Sequence, residues 1–313
     1  MEYLNSLSYT PQYISSVYAE VFPPKPKWSP DDIPDLSEKV FLITGKAVAE
    51  DLLAHDAKVY IAGRSVERVT EAIEELKKIT GKGDDRVKFL KLDLADLKSV
   101  KSAVDEFLSK ESRLDVLINN AGMVRVPGTG IDQITPSGLN VEFAVNVLGH
   151  FYLTQLLLPI LISTAKSSPD GKVRVVNLTS AAHFGSKIGK NGPIDYRTLE
   201  GPQSFLYFAY SQSKSGNILF SNELARRYGD QGIVSIAVHP GAIDTRPFAK
   251  VRPSCRPCST QLLCVFMEYS LMRKRPTLSS PLVFIIAFHN PESRLIWEDR
   301  DVLCCHCAGS NRA

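Results

Sequence analysis

Cysteine is missing from the first 250 residues, and all six cysteines lie between Cys255 and Cys307. A body without thiols excludes a disulfide-stapled scaffold and fits a reducing compartment, the cytoplasm. No run reaches the roughly 18 apolar residues of a membrane span. Charge of one sign is not in excess: 37 Lys and Arg against 34 Asp and Glu leave +3, which offers no grip on nucleic acid. Met1 to Tyr18 has neither a basic start nor an apolar centre, so no secretory signal is expected there. No internal repeat is visible. What is present is ordinary for a soluble globular protein, with 44% hydrophobic and 23% charged residues. A chain of 313 residues has room for one large α/β domain or two smaller ones.

Three segments differ in character. Residues 1–37 are rich in Pro, Tyr and Ser and read as an N-terminal extension, packed on the surface or loose. Residues 38–250 alternate between strand and helix signals. Val40-Phe-Leu-Ile-Thr44 is a continuous apolar run, as expected of a strand buried on both faces. Further strands are expected over Lys58–Ala62, Val87–Leu92, Asp115–Asn119, Val173–Leu178 and Val234–Val238. A short helical stripe (Ala49, Leu52, Leu53) follows the first strand, and Ser65 can cap a helix running through Lys78. Other helices are expected near Leu97–Leu108, from about Leu139 to Leu161, and around Tyr210. Such alternation predicts a doubly wound parallel sheet, a Rossmann-like α/β fold in a single domain. Ligands then bind at the carboxyl ends of the strands.

Those ends carry polar or small residues: Thr44-Gly45, Gly63-Arg64-Ser65, Asp93, Asn119-Asn-Ala-Gly122, Thr179-Ser180 and His239-Pro-Gly241. Turn chemistry explains any one of them, but not six in succession followed by one more pattern. Tyr210 and Lys214 are spaced i, i+4, so on a helix they share a face about one turn apart. A phenol titrates near ~10 in water, and a neighbouring ammonium lowers that value. The pair is therefore a candidate proton-transfer device.

In their order and spacing these motifs, with Asn146, resemble the short-chain dehydrogenase/reductase family from about Asp35 to Thr245. Val145-Asn-Val-Leu-Gly-His-Phe151 and the run from Ser211 to Arg226 are similar to its retinol-dehydrogenase-like and WW-domain-oxidoreductase-like branch. No WW module is expected, since Trp28 and Trp297 are the only tryptophans. The resemblance implies a catalytic set of Asn146, Ser180, Tyr210 and Lys214. Tyr210 is the implied general acid/base, Lys214 its tuning partner and ribose ligand, Ser180 the donor to the substrate oxygen, and Asn146 the holder of a relay water. The implied cofactor contacts are Thr44, Gly45, Arg64, Ser65, Asp93, Asn119, Ala121, Gly122, Tyr210, Lys214, Pro240 and Gly241. At the end of the second strand an acidic residue would favour NAD; Arg64 there suits the 2′-phosphate of NADP. His183, Phe184, Phe205, Leu206, Tyr207 and Phe208 suggest either an apolar alcohol or carbonyl substrate or a merely closed domain surface.

Two departures from the family stand out. Thr44-Gly45 runs directly into Lys46-Ala-Val-Ala, about six residues short of the family's glycine-rich turn, which normally meets the pyrophosphate. A non-catalytic or cofactor-impaired member is the alternative this motivates. The second departure is residues 251–313, a divergent and poorly ordered tail of altered origin, such as a shifted reading frame or a retained intron. Two other readings stand beside it: a replacement strand at Pro281–Phe288, and a zinc site from Cys255, Cys258 and the Cys304-Cys-His-Cys307 cluster. No metal is expected on balance.

Overall fold

The structure is a computed structural model. It describes residues 28–124, 134–186, 192–200 and 206–241, with side chains from 209 onward in the last segment. The start of the chain and the tail after 241, with the candidate zinc cluster and the replacement strand, lie outside these residues.

Apolar runs too short for helices and buried on both faces become central strands. Six of them form one sheet: β1 (Val40–Thr44), β2 (Lys58–Gly63), β3 (Val87–Lys91), β4 (Val116–Asn119), β5 (Val173–Leu178) and β6 (Ile233–Val238). All neighbours are parallel, in the order β3-β2-β1-β4-β5-β6. The order reverses between β1 and β4, and the crevice at that switch point is where such sheets take ligands. The expected fold class is therefore the observed one.

Alternation along β1 divides the core between two faces. Val40 and Leu42 pack on one side with Phe107, Leu157 and Leu161. Phe41 and Ile43 pack on the other with Leu52, Leu53 and Ile73. The helices on the second face are α1 (Ala49–Ala54) and α2 (Val66–Thr80). Ser65 caps α2 by accepting from the Arg68 amide at 3.3 Å. The first face is covered by α3 (Leu97–Lys110), α4 (Val141–Ser167) and α5 (Leu206–Tyr228).

Two boundaries differ from expectation. The helix expected at Leu139–Leu161 starts at Val141 and runs to Ser167, with a π-helical stretch over Ala144–Gly149. It starts late because Asn140 is its cap, accepting from the Phe143 amide at 3.1 Å. It runs on because Ala165 still faces the core. The segment before residue 38 is not all surface extension. Ile33 and Leu36 are buried against α1 and β1, and the Leu36 amide donates to His55 O at 2.8 Å. Helix α4 is long and apolar enough to cross a membrane, but more than half of its most apolar window is buried in this fold, as a core helix requires.

Candidate active site

The carboxyl ends of β1, β4 and β5 face the N-terminal halves of α4 and α5. Strand β5 delivers Ser180, which opens a 3-10 turn over Ala181–Gly185 and accepts from the Ala182 amide at 3.2 Å. Helix α5 delivers Tyr210 and Lys214 from one face. The Ser180 hydroxyl lies close enough to the Tyr210 phenol to favour its ionised form. Lys214 Nζ lies 5.6 Å from the Tyr210 ring centre and donates to Leu178 O at 3.0 Å. The backbone carbonyl of Lys214 accepts from Thr179 Oγ1 at 2.8 Å, which fixes α5 on the end of β5.

Asn146 sits in the π-helical stretch and is fully buried. Its Oδ1 accepts from the Met123 amide at 2.8 Å, and its Nδ2 donates to Met123 O at 3.0 Å and to Ser213 Oγ at 2.9 Å. The side chain thus clamps the segment after β4 to α5. Gly122 lies in this clamp: a Cβ there would stand 3.2 Å from Lys214 Nζ and 3.6 Å from Asn146 Oδ1. The structure thus brings Asn146, Ser180, Tyr210, Lys214 and Gly122 together at this end of the sheet.

Electrostatics differ from the expectation for the pair. Burial pushes the Tyr210 phenol up; the Ser180 hydroxyl opposes this and the Glu142 carboxylate adds to it. Lys214 is not among the groups that shift it; burial takes the Lys214 pKa down to about 8, which still leaves the ammonium the main form at neutral pH. The phenol is neutral at neutral pH in this state, a proton donor rather than a base.

The remaining sequence-predicted residues divide between ligand-facing and structural positions. Arg64 is exposed at the end of β2 and has no ion-pair partner among the described residues. Ser65 is the cap of α2. Asp93 is half-buried and turns one oxygen to the Ala95 amide at 2.9 Å. Pro240 and Gly241 are half-buried beyond β6, with Gly241 at φ +80°. Thr44 is buried, and its hydroxyl accepts from the Asn120 and Ala121 amides at 2.9 and 2.8 Å. It braces the strand ends instead of facing outward. Asn119 is likewise turned inward, donating to Thr154 Oγ1 at 3.1 Å and Asn177 Oδ1 at 2.9 Å. Its side chain serves the sheet, and Ala121 and Gly122 are left to meet a ligand.

The shortened turn keeps some of what a dinucleotide needs. Gly45 adopts φ +101°, and a Cβ there would come 3.0 Å from Asn120 Nδ2. The amides of Lys46, Ala47 and Val48 have no hydrogen-bond partner among the described residues, so three donors remain for a phosphate. The turn is nevertheless strained: Val48 sits at φ 66°, a left-handed conformation that a β-branched residue rarely adopts. The donor set and the space at Gly122 fit a dinucleotide.

His183 donates from Nδ1 to Ser180 O at 2.7 Å, and its ring lies 4.1 Å from that of Phe184. Of the aromatic set read from the sequence, Phe205 and the side chains of Leu206, Tyr207 and Phe208 lie outside the described residues.

Residues 43–191 match the sequence profile of the short chain dehydrogenases. A short-chain dehydrogenase/reductase of Armillaria gallica is 45% identical over 240 residues, covering 74% of this chain and 73% of its own length. The chain belongs to the short-chain dehydrogenase/reductase family. Within the family it is of the retinol-dehydrogenase-like branch. Mouse retinol dehydrogenase 12 is 40% identical over 212 residues, covering 66% of this chain and 61% of the mouse protein. Among solved structures, a Mycobacterium paratuberculosis protein superposes with a TM-score of 0.54 at 33% identity, over 70% of this chain and 74% of that one. Members of the family are oxidoreductases that bind NAD or NADP and small substrates.

Sequence reasoning gave no role to Met123, Ser213, Glu142 or His150. Asn146 and His150 stand one helical turn apart, a spacing that could have flagged His150; nothing in the sequence marks Met123, which acts through its backbone.

Proposed function

We propose that this oxidoreductase uses NADP(H) to interconvert an apolar alcohol and its carbonyl, with Tyr210 as the proton-transfer group. The observation that carries this is the convergence of Ser180, Tyr210, Lys214 and Asn146 at the switch-point end of the sheet. When bound, the nicotinamide supplies or accepts the hydride. The protein's part is to orient and to handle the proton. The Tyr210 hydroxyl gives a proton to the substrate oxygen, and the Ser180 hydroxyl donates a second hydrogen bond to the same atom as charge develops. Lys214 holds the ribose, and Asn146 fixes the wall that Gly122 leaves open. A phenol kept neutral by burial supports the reductive direction near neutral pH.

Arg64 supports NADP over NAD, because an unpaired guanidinium at the end of β2 suits a phosphate. Lys46, Ala47 and Val48 would offer their amides to the pyrophosphate. The test is a fluorescence titration with NADPH and NADH, followed by turnover of a panel of apolar aldehydes. Tighter NADPH binding and turnover of at least one aldehyde are expected. No turnover of any would overturn the reading.

The strained, short turn favours a second reading, a member impaired in dinucleotide binding. A millimolar or weaker NADPH Kd alongside an intact fold would select it.

A further inference from the structure

His150 has no part in the scheme above, yet it joins two of its components. It is 2% exposed and lies between the end of β1 and the π-helical stretch of α4. Thr44 Oγ1 already accepts two backbone amides, from Asn120 and Ala121. A hydroxyl has two lone pairs and one proton, so Thr44 must give its proton away. The acceptors in reach are Ile118 O at 3.4 Å and His150 Nε2 at 2.9 Å. The shorter contact takes the proton. On the other side of the ring, His150 Nδ1 is 3.1 Å from Asn146 O. A carbonyl can only accept, so Nδ1 carries the ring hydrogen. An imidazole protonated at Nδ1 leaves Nε2 as an acceptor, which is what the Thr44 hydroxyl requires. Two ends deduced separately demand one tautomer.

The surroundings keep the ring neutral. Burial takes its pKa down to about 4, the nearby Lys214 charge works in the same direction, and the Asn146 carbonyl opposes them. A cationic ring would need an acceptor beyond Nε2, where both Thr44 lone pairs are already occupied.

We propose that His150 is a positioning residue that locks the end of β1 and the loop after β4 to the backbone carbonyl of Asn146. The chain of donors runs from the Asn120 and Ala121 amides to Thr44, from Thr44 to His150, and from His150 to Asn146. It sets the loop after β4 and the backbone of Asn146, whose side chain reaches α5 at Ser213, in one arrangement. Only its catalytic meaning rests on the function proposed above.

Two measurements on the full chain test it. In protein labelled with 15N-histidine, the long-range proton–nitrogen spectrum of His150, assigned by its loss in His150→Asn, should show the neutral Nδ1–H tautomer without titration from pH 5 to 8. The Nε2–H tautomer, or titration near the ordinary value, would overturn the proposal. The second is NADPH binding by two half-mimics. His150→Gln can place an amide oxygen where Nε2 receives Thr44, whereas His150→Asn can serve only the Asn146 end. The Kd should rise about tenfold in His150→Asn, where the Thr44 proton keeps only the longer contact to Ile118 O, and less than about threefold in His150→Gln. Unchanged Kd values in both variants, with lowered unfolding midpoints, would reduce His150 to packing and overturn it. If the unaltered chain binds no NADPH, the functional reading fails by itself, and the tautomer alone sustains or sinks the coupling.

Discussion

A single oxygen distinguishes Tyr210 from phenylalanine, and the proposed chemistry rests on it. Tyr210→Phe should lower kcat by about 10²–10⁴-fold, while NADPH affinity, measured by fluorescence, stays within a few-fold. Loss of binding together with rate would mean that the phenol holds the cofactor pocket open and not the proton. Arg64→Asp should reverse the preference for NADPH over NADH, read as the ratio of the two Kd values; an unchanged ratio would return Arg64 to a solvated turn charge. At this scale the sequence was a good guide to what it could space. Tyr210 and Lys214 lie on one helix, so their separation fixes their geometry. Asn119 shows the limit: every residue of β4 is buried whichever face it points to, and only its hydrogen bonds to Thr154 and Asn177 show that its side chain serves the sheet. His150 was hidden for a related reason. Its partner Thr44 is 106 residues away, and no local pattern joins them.

Among the elements, the turn from Gly45 to Val48 and the helix α4 carry the sharpest consequences. Inserting a six-residue glycine-rich loop after Gly45 should relieve Val48 and add phosphate donors, tightening NADPH by about 10²-fold, equivalent to two charge-assisted hydrogen bonds. No gain in a titration would show that the three amides already present suffice. In α4, a Cβ on Gly149 would stand 2.4 Å from Leu94 O. That contact is with backbone, which cannot swing aside. Gly149→Ala should therefore cost about 1–3 kcal/mol, measured by urea unfolding; an unchanged midpoint would mean that the loop after β3 yields freely. The π-helical stretch beside it was not legible in the sequence. Helical periodicity does not separate π from α over six residues, and the close approach to Leu94 is a property of the packed chain.

The whole molecule should show its buried histidine in its response to acid. Burial takes the His150 pKa down to about 4 in the folded protein, against the ordinary 6.5. The unfolded chain therefore binds more protons between these values, and stability falls as pH drops. The loss is absent above about pH 6.5 and grows to roughly 3 kcal/mol by pH 4. His150→Gln should not show this component, so the difference in unfolding free energy between the two proteins should change between pH 7 and pH 4.5. A constant difference would mean that the ring titrates freely. The strand order was legible because each strand is a short, continuous apolar run and parallel sheets permit few connections. Where the domain begins was not, since Pro-rich composition masked two core residues.

Those two residues bear on how the protein is handled. Ile33 and Leu36 seal the face of the sheet that α1, at six residues, is too short to cover alone. A shortened version starting at residue 38, the boundary that composition suggests, would let water reach Leu52 and Leu53. Such a version should aggregate or melt early for a reason unrelated to the active site, so any trimming must spare Ile33 and Leu36.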